Sequence, residues 1–191
     1  MVLPAILLAS LSLLGASRTQ PAISGSIGSA HAFFEVPPVD VHIDPLAACT
    51  TSTASTPGAA AEDFVYFGSG SSTCTADTVT VTGRKFRFDW LKDRGGPVIK
   101  LTSFSATCTA TGNGAHSSIK VTGLSGIKAP NPIPPNYTVN VPLARITLNE
   151  TTAPGDGSLT VNLMHIRLFP EGYGFNTGEV VVGTVHCSPR G

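Results

Sequence analysis

The chain has 191 residues, enough for one domain with a sizeable core, and its 12 basic and 12 acidic side chains give a formal net charge of zero. That balance excludes a strongly basic nucleic-acid binder. With 20 Gly, 15 Pro and no sustained 3.6-residue apolar periodicity, an architecture of long amphipathic helices is excluded as well.

The chain opens on an apolar run, Val2 to Leu14, broken only by Pro4, Ser10 and Ser12. It is shorter than the roughly 20 apolar residues that span a bilayer. It fits the core of a secretory signal peptide, residues 1–17, although no Lys or Arg precedes it. Gly15-Ala16-Ser17 places small residues at −3 and −1, so cleavage is expected after Ser17 and a mature chain beginning near Arg18. Residues 18–191 are then expected to form a single secreted domain, with no membrane span.

Beyond that point alternation with period two recurs. Strands are expected over Ser26–Val36, Val39–Asp44, Phe64–Phe67, Thr78–Thr82, Lys85–Leu91, Val98–Cys108 and Ser118–Leu124. Tyr137–Val141, Ala144–Leu148, Leu159–Phe169 and Glu179–Cys187 complete the set. Thr50–Ala61 reads as a flexible loop, and Ala129–Asn136, with four prolines, as an extended exposed linker. The turn Asp93-Arg94-Gly95-Gly96-Pro97 predicts a hairpin on either side of it. About ten short strands with regular turn signals predict an all-β fold, an antiparallel β-sandwich or barrel-like sheet pair.

Four cysteines fit export: Cys49, Cys74, Cys108 and Cys187. None has the spacing of a zinc site, and three pairings are open to them. The favoured pairing is Cys49–Cys74, closing the loose segment between them, with Cys108–Cys187 tying a middle strand to the last. Each bridge is worth about 2–4 kcal/mol.

Charge is unevenly spread. Arg18–Thr80 holds six acids and one base, a balance of −5; Val81–Arg145 holds nine bases and two acids, a balance of +7. Such asymmetry marks a surface that meets a polyanion, or, more commonly, acidic and basic strands that pair within one domain. The segment Arg84 to Lys92 is the best binding candidate. Phe86, Phe88 and Trp90 would share one strand face, with Lys85, Arg87 and Asp89 on the other. Arg84, Lys85, Arg87, Trp90 and Lys92 are the candidate binding residues for an anionic wall polymer or glycan. The plainer reading is an amphipathic strand with aromatics in the core and charges in water.

Other motifs carry less. Asp40, His42 and Asp44 would point to one strand face, but side chains two apart stand about 7 Å apart, so a shared cation would need help from another element. An ordinary solvated strand face opposite Val39, Val41 and Ile43 is the favoured reading. His165 and His186 lie on strands that should pair. A hairpin centred near Gly174 would set Asn162 opposite His186 and His165 opposite Gly183, with the two imidazoles on opposite faces. No G-x-S-x-G elbow is present, and the acids scatter through turns and edges, so no catalytic residue is assigned. No cofactor or metal is expected. Asn136-Tyr137-Thr138 and Asn149-Glu150-Thr151 are sequons, for which a turn-stabilising Asn149 is the simpler role.

The last third carries a resemblance. Thr147-Leu148-Asn149-Glu150, then Leu159-Thr160-Val161-Asn162-Leu163-Met164-His165, then a valine-rich strand ending Gly183-Thr184-Val185-His186-Cys187 resembles the end of the secreted bacterial choice-of-anchor P family. Ser24-Gly25-Ser26 and Gly28-Ser29-Ala30 are similar to that family's first strand, and Leu101–Cys108 more loosely to its middle. Phe33-Phe34-Glu35 and Lys85–Arg94 depart from it. The family name describes attachment to the cell surface, not an activity. With Ser188-Pro189-Arg190-Gly191 at the end and no sorting signal, the resemblance implies an unanchored or truncated member.

The expected function is thus an extracellular or cell-envelope module, structural or adhesive and not an enzyme. The alternative is a carbohydrate or anionic wall-polymer binder, and a hydrolase ranks last. Its partners would be a wall polymer, a glycan or a surface protein, not nucleic acid. A concave sheet face lined by Trp90, Tyr66 or Tyr137 would favour the glycan binder.

Overall fold

A computed structural model describes residues 22–34, 39–112, 114–169 and 177–189. The expected leader, its cleavage point and most of the Pro170–Gly178 turn lie outside the described residues. Thirteen strands form two antiparallel sheets. They are β1 (Ile23–Phe34), β2 (Val39–Leu46), β3 (Thr53–Thr56), β4 (Ala59–Ala61), β5 (Val65–Phe67), β6 (Gly70–Cys74), β7 (Thr78–Phe88), β8 (Ile99–Thr111), β9 (Gly114–Thr122), β10 (Tyr137–Val141), β11 (Ala144–Thr152), β12 (Leu159–Leu168) and β13 (Thr177–Cys187). The only helical turn among the described residues is a 3₁₀ turn, Lys92–Arg94.

Sheet A runs β10-β11-β12-β13-β1-β2. Sheet B is centred on β7, which pairs β8 on one edge and, in succession, β6 and β5 on the other; β9, β3 and β4 extend it. The two inner faces meet in one core whose largest side chains include Phe67, Phe86, Phe88, Leu101, Leu163 and Met164. The sandwich, the β7–β8 hairpin and the β12–β13 pair are as the alternation predicts. The loop expected at Thr50–Ala61 instead holds β3 and β4, and β6 was not foreseen. These strands are Ser/Thr/Ala-rich with few branched apolar residues. Their pairing partners, not their own pattern, make them strands.

Both favoured disulfides are present. Cys108–Cys187 joins β8 of sheet B to β13 of sheet A. Cys49, which bridges to Gly25 of β1, is bonded to Cys74 at the end of β6, again crossing from one sheet to the other. Two such bonds belong to an oxidising, extracellular or periplasmic compartment. Among the described residues no helix is long and apolar enough to cross a membrane.

A transverse fault crosses sheet A. Pairing skips Leu163 and Gly183 between Asn162↔Thr184 and Met164↔Val182. It skips Asn149 between Leu148↔Met164 and Glu150↔Asn162, and Ile27 between Ser26↔Thr184 and Gly28↔Val182. Gly183 and Asn149 take left-handed φ values of 66° and 51°. At each skipped position the strand reverses its faces, as a bulge does. Val161, Leu163, Val185 and Cys187 therefore share the core side, as their odd spacing predicts. Ile166, Leu168, Val180 and Val182, expected on the opposite face, lie on that same core side beyond the fault. The strands are apolar on one face, not two. Sheet B carries a parallel fault: pairing skips Lys85 and Thr102, and Lys85 has φ 58°.

Two substitutions test this core. Val185 is fully buried, so Val185→Asp should destabilise by at least about 3 kcal/mol or prevent folding. An unchanged Tm would show that the strand is not core. Gly183→Val meets both the left-handed φ and a built Cβ only 3.0 Å from Leu163 Cβ. It should cost about 1–3 kcal/mol by thermal melting, the range for strained backbone.

Candidate functional site

Two polar surfaces stand out, one on the outer face of each sheet. On sheet A the fault brings Asn162 and His165, which strict alternation would separate, onto one face. Glu150 of the neighbouring β11 receives them both. Its Oε2 accepts from Asn162 Nδ2 at 2.8 Å and meets His165 Nδ1 at 2.7 Å, while its Oε1 accepts from Arg167 Nη2 at 2.5 Å. The other imidazole nitrogen, Nε2, meets Glu179 Oε2 at 3.1 Å. Thr184 donates to Asn162 Oδ1 at 2.8 Å. Glu150 of the T-L-N-E stretch and Asn162 and His165 of the N-x-x-H stretch thus form one network across three strands.

Burial by itself would raise the Glu150 pKa. The hydrogen bonds from His165 and Asn162 and the charges of His165 and Arg167 outweigh it, holding the carboxyl down at about 2 from its ordinary 4.5. Each ring nitrogen of His165 thus has a carboxylate oxygen within hydrogen-bond distance.

His186 lies opposite Thr160, not Asn162, and Nδ1 meets the Thr160 hydroxyl at 2.9 Å. The hairpin register is two residues away from the expected one. His165 and His186 share the outer face, not opposite faces, because the fault lies between them. Burial lowers the His186 pKa, against the pull of Asp156. Asp156 itself is held low by two hydrogen bonds from Ser158.

On sheet B the segment Arg84–Asp89 lies on β7 and its end. Phe86, Phe88 and Trp90 are buried, and Lys85 and Arg87 are exposed, as alternation predicts. The fault at Lys85 turns Arg84 outward too. Cross-strand register adds two cations that local reading missed: Lys100 stands opposite Arg87, and Lys120 opposite Ser105. The only sequence signal for them was the excess of bases between Val81 and Arg145. Arg87 is paired with Asp89 at 2.6 Å. Among the described residues Arg84, Lys85, Lys100 and Lys120 form no ion pair.

These cations line two adjoining open concavities. One, of about 570 Å³, contains Arg84, Lys120, Ser71, Thr82 and Ser105; the other, of about 560 Å³, contains Tyr66, Lys85, Arg87 and Lys100. Tyr66, opposite Arg87, is 42% exposed. Around them the face is hydroxyl-rich, with cross-strand pairs Ser71–Thr82, Thr80–Thr107 and Ser103–Thr122.

Two candidate residues fall elsewhere. Trp90 is 5% exposed, with Phe34 stacked 4.8 Å from one ring and the Arg94 guanidinium 4.2 Å from the ring centroid. It is a core side chain, not a stacking platform. Lys92 lies beside it in an acidic third concavity and meets Asp63 at 3.3 Å. Tyr137 is half-buried on the other sheet. Asp40, His42 and Asp44 are exposed on one face of β2, opposite Val39, Val41 and Ile43. Among the described residues no group of three or more His, Cys, Asp or Glu side chains encloses a metal position.

Comparison of the chain with protein-family models, with curated proteins and with solved structures finds no match.

Glu150 supplies a pH test. Its pKa is depressed on folding, so its contribution is complete above about 4.5 and is lost as pH falls towards 2. Allowing for solvent screening, that contribution is about 1–2 kcal/mol. Glu150→Gln should lower stability by this amount at pH 7 and flatten the loss of stability between pH 5 and pH 2, both read by urea unfolding. An unchanged acid limb would exclude the network as its source.

Proposed function

We propose that this chain is a secreted, non-catalytic adhesive β module that holds an anionic extracellular polysaccharide on the outer face of sheet B. One observation carries the reading: exposed Tyr66 shares a concavity with Lys85, Arg87 and Lys100, beside a second lined by Arg84 and Lys120. An aromatic ring offers a sugar an apolar face, unpaired cations meet phosphate or carboxylate, and Ser/Thr hydroxyls reach sugar hydroxyls. Lys100 stands directly opposite Arg87, whose guanidinium is paired with Asp89, so Lys85 and Lys100 are the cations of this concavity without a carboxylate partner among the described residues. Both concavities are open, which suits an extended polymer better than a small enclosed substrate.

Further support comes from the rest of the chain. The cross-sheet disulfides suit a rigid extracellular scaffold. The leader-like residues 1–17 and the resemblance to choice-of-anchor P proteins agree with a surface role.

Binding of a soluble phosphate-bearing wall polysaccharide, against a neutral glucan, tests the proposal. Affinity should fall steeply with added salt. Arg84→Glu with Lys120→Glu should weaken binding roughly tenfold or more, because like charges then face the polymer. Tyr66→Ala should weaken it by about 0.5–1.5 kcal/mol. Lys128→Glu, outside both concavities, should leave it unchanged. Equal binding by the charge-reversed protein, or preference for the neutral glucan, would overturn the reading.

A further inference from the structure

The outer face of sheet A ends, at its β1–β2 edge, in two histidines. The register sets His31 directly opposite His42. Their ring centroids are 5.9 Å apart and nearly perpendicular, at 85°. His42 Nε2 meets Asp44 Oδ1 at 3.0 Å. The His42 and Asp44 side chains are 65% and 86% exposed, and His31 is exposed beside them.

We propose that His31 and His42 together chelate one borderline divalent transition-metal ion, such as zinc, nickel or copper(II), with Asp44 orienting His42. Imidazole is a preferred ligand of these ions. Their bonds to imidazole nitrogen are about 2.0–2.1 Å long, so two rings sharing one ion stand with centres about 5–6 Å apart. The observed spacing falls in that range. Directly opposed residues of an antiparallel pair hold their Cβ atoms about 4.5–5.5 Å apart, so the sheet supplies the separation without a flexible loop. Asp44 accepts from Nε2–H of His42, which leaves the Nδ1 lone pair for the ion. A carboxylate on the far nitrogen of a ligating histidine is the common way such rings are oriented.

Along β2 the His42 and Asp44 side chains meet each other at 3.0 Å, which commits Nε2 of His42 to the carboxylate, and β1 contributes a second ring, His31, across the ladder. Glu179 follows His31 in the same row on β13, but its carboxylate is engaged by His165. The site is therefore a two-nitrogen chelate with open coordination positions and not a closed cage, in keeping with the absence of an enclosing cluster among the described residues. It lies on the sheet opposite the polysaccharide face and does not depend on that reading.

Calorimetric titration of the disulfide-intact protein with zinc and with nickel, in a non-coordinating buffer at neutral pH, tests the site. The histidine rings are followed by ¹H–¹⁵N NMR. One saturable ion per chain is expected, with shifts at His31 and His42. His31→Ala and His42→Ala should each remove saturable binding. Asp44→Asn should weaken it roughly tenfold, as loss of an orienting carboxylate does. His116→Ala, on exposed β9 of the other sheet, should change nothing. All three ring positions are exposed, so an unchanged Tm checks that the fold is kept; His31→Gln and His42→Gln repeat the test with a larger side chain. Saturable binding that survives loss of both rings, shifts confined to His116, His165 or His186, or no saturable binding at all would overturn the proposal.

Discussion

At the middle of β13, Gly183 turns into the left-handed region, and the strands beside it leave Leu163, Asn149 and Ile27 unpaired in the same row. Everything on sheet A depends on that row. An isolated bulge would set one strand out of step with its neighbours. A row of them keeps the ladder in register while every strand exchanges its faces together. The apolar residues on both sides of the row then reach one core, and the polar ones reach one surface. Glu150, Asn162 and His165 can meet only because of it. Gly183 has little room for a larger residue, since a Cβ there would stand 3.0 Å from Leu163 Cβ.

Sheet B repeats the device with a different result. The turn at Lys85 leaves Arg84 and Lys85 successively outward, so two cations occupy a length of strand that normally shows one. Across the ladder Lys100 and Lys120 join them. The acids that balance the chain's net charge lie mostly elsewhere. Asp40, Glu62 and Asp63 gather around Lys92 at the end of the sandwich, away from the two basic concavities. Zero net charge therefore conceals a basic outer face on one sheet and a mixed network of carboxylates and histidines on the other.

The disulfides hold these faces at a set distance. Each joins one sheet to the other, and each closes a long loop, of sequence separation 25 or 79. In the chain-entropy account such loops contribute about 3–5 kcal/mol each by restricting the unfolded chain. Gly28 makes the sheets' close approach possible, because a Cβ there would run into the Phe67 ring. A scaffold braced in this way can present charged outer faces without relying on them for stability.

Local chemistry determined much of this protein. Alternation in Val39–Asp44, Phe86–Trp90 and Leu159–Leu163 placed strands and their buried faces, because period two is a property of the extended chain itself. The pairing of Cys49 with Cys74 and of Cys108 with Cys187, one of three open to the sequence, was the favoured one, although the segment between the first two holds strands β3 to β6 and is not loose. The tertiary structure alone decided which face survives across a fault. No local pattern marks Asn149, Leu163 and Ile27 as unpaired, since a row of bulges exists only between strands. So alternation sets His165 and His186 on opposite faces although they share one, while for Trp90 the plainer of its two readings, a core aromatic, holds, with Phe34 and Arg94 against its ring. Lys100, Lys120 and Tyr66 joined the basic face, and His31 met His42, through cross-strand register. That register is set by which strands the whole sandwich brings together, and no single strand contains it.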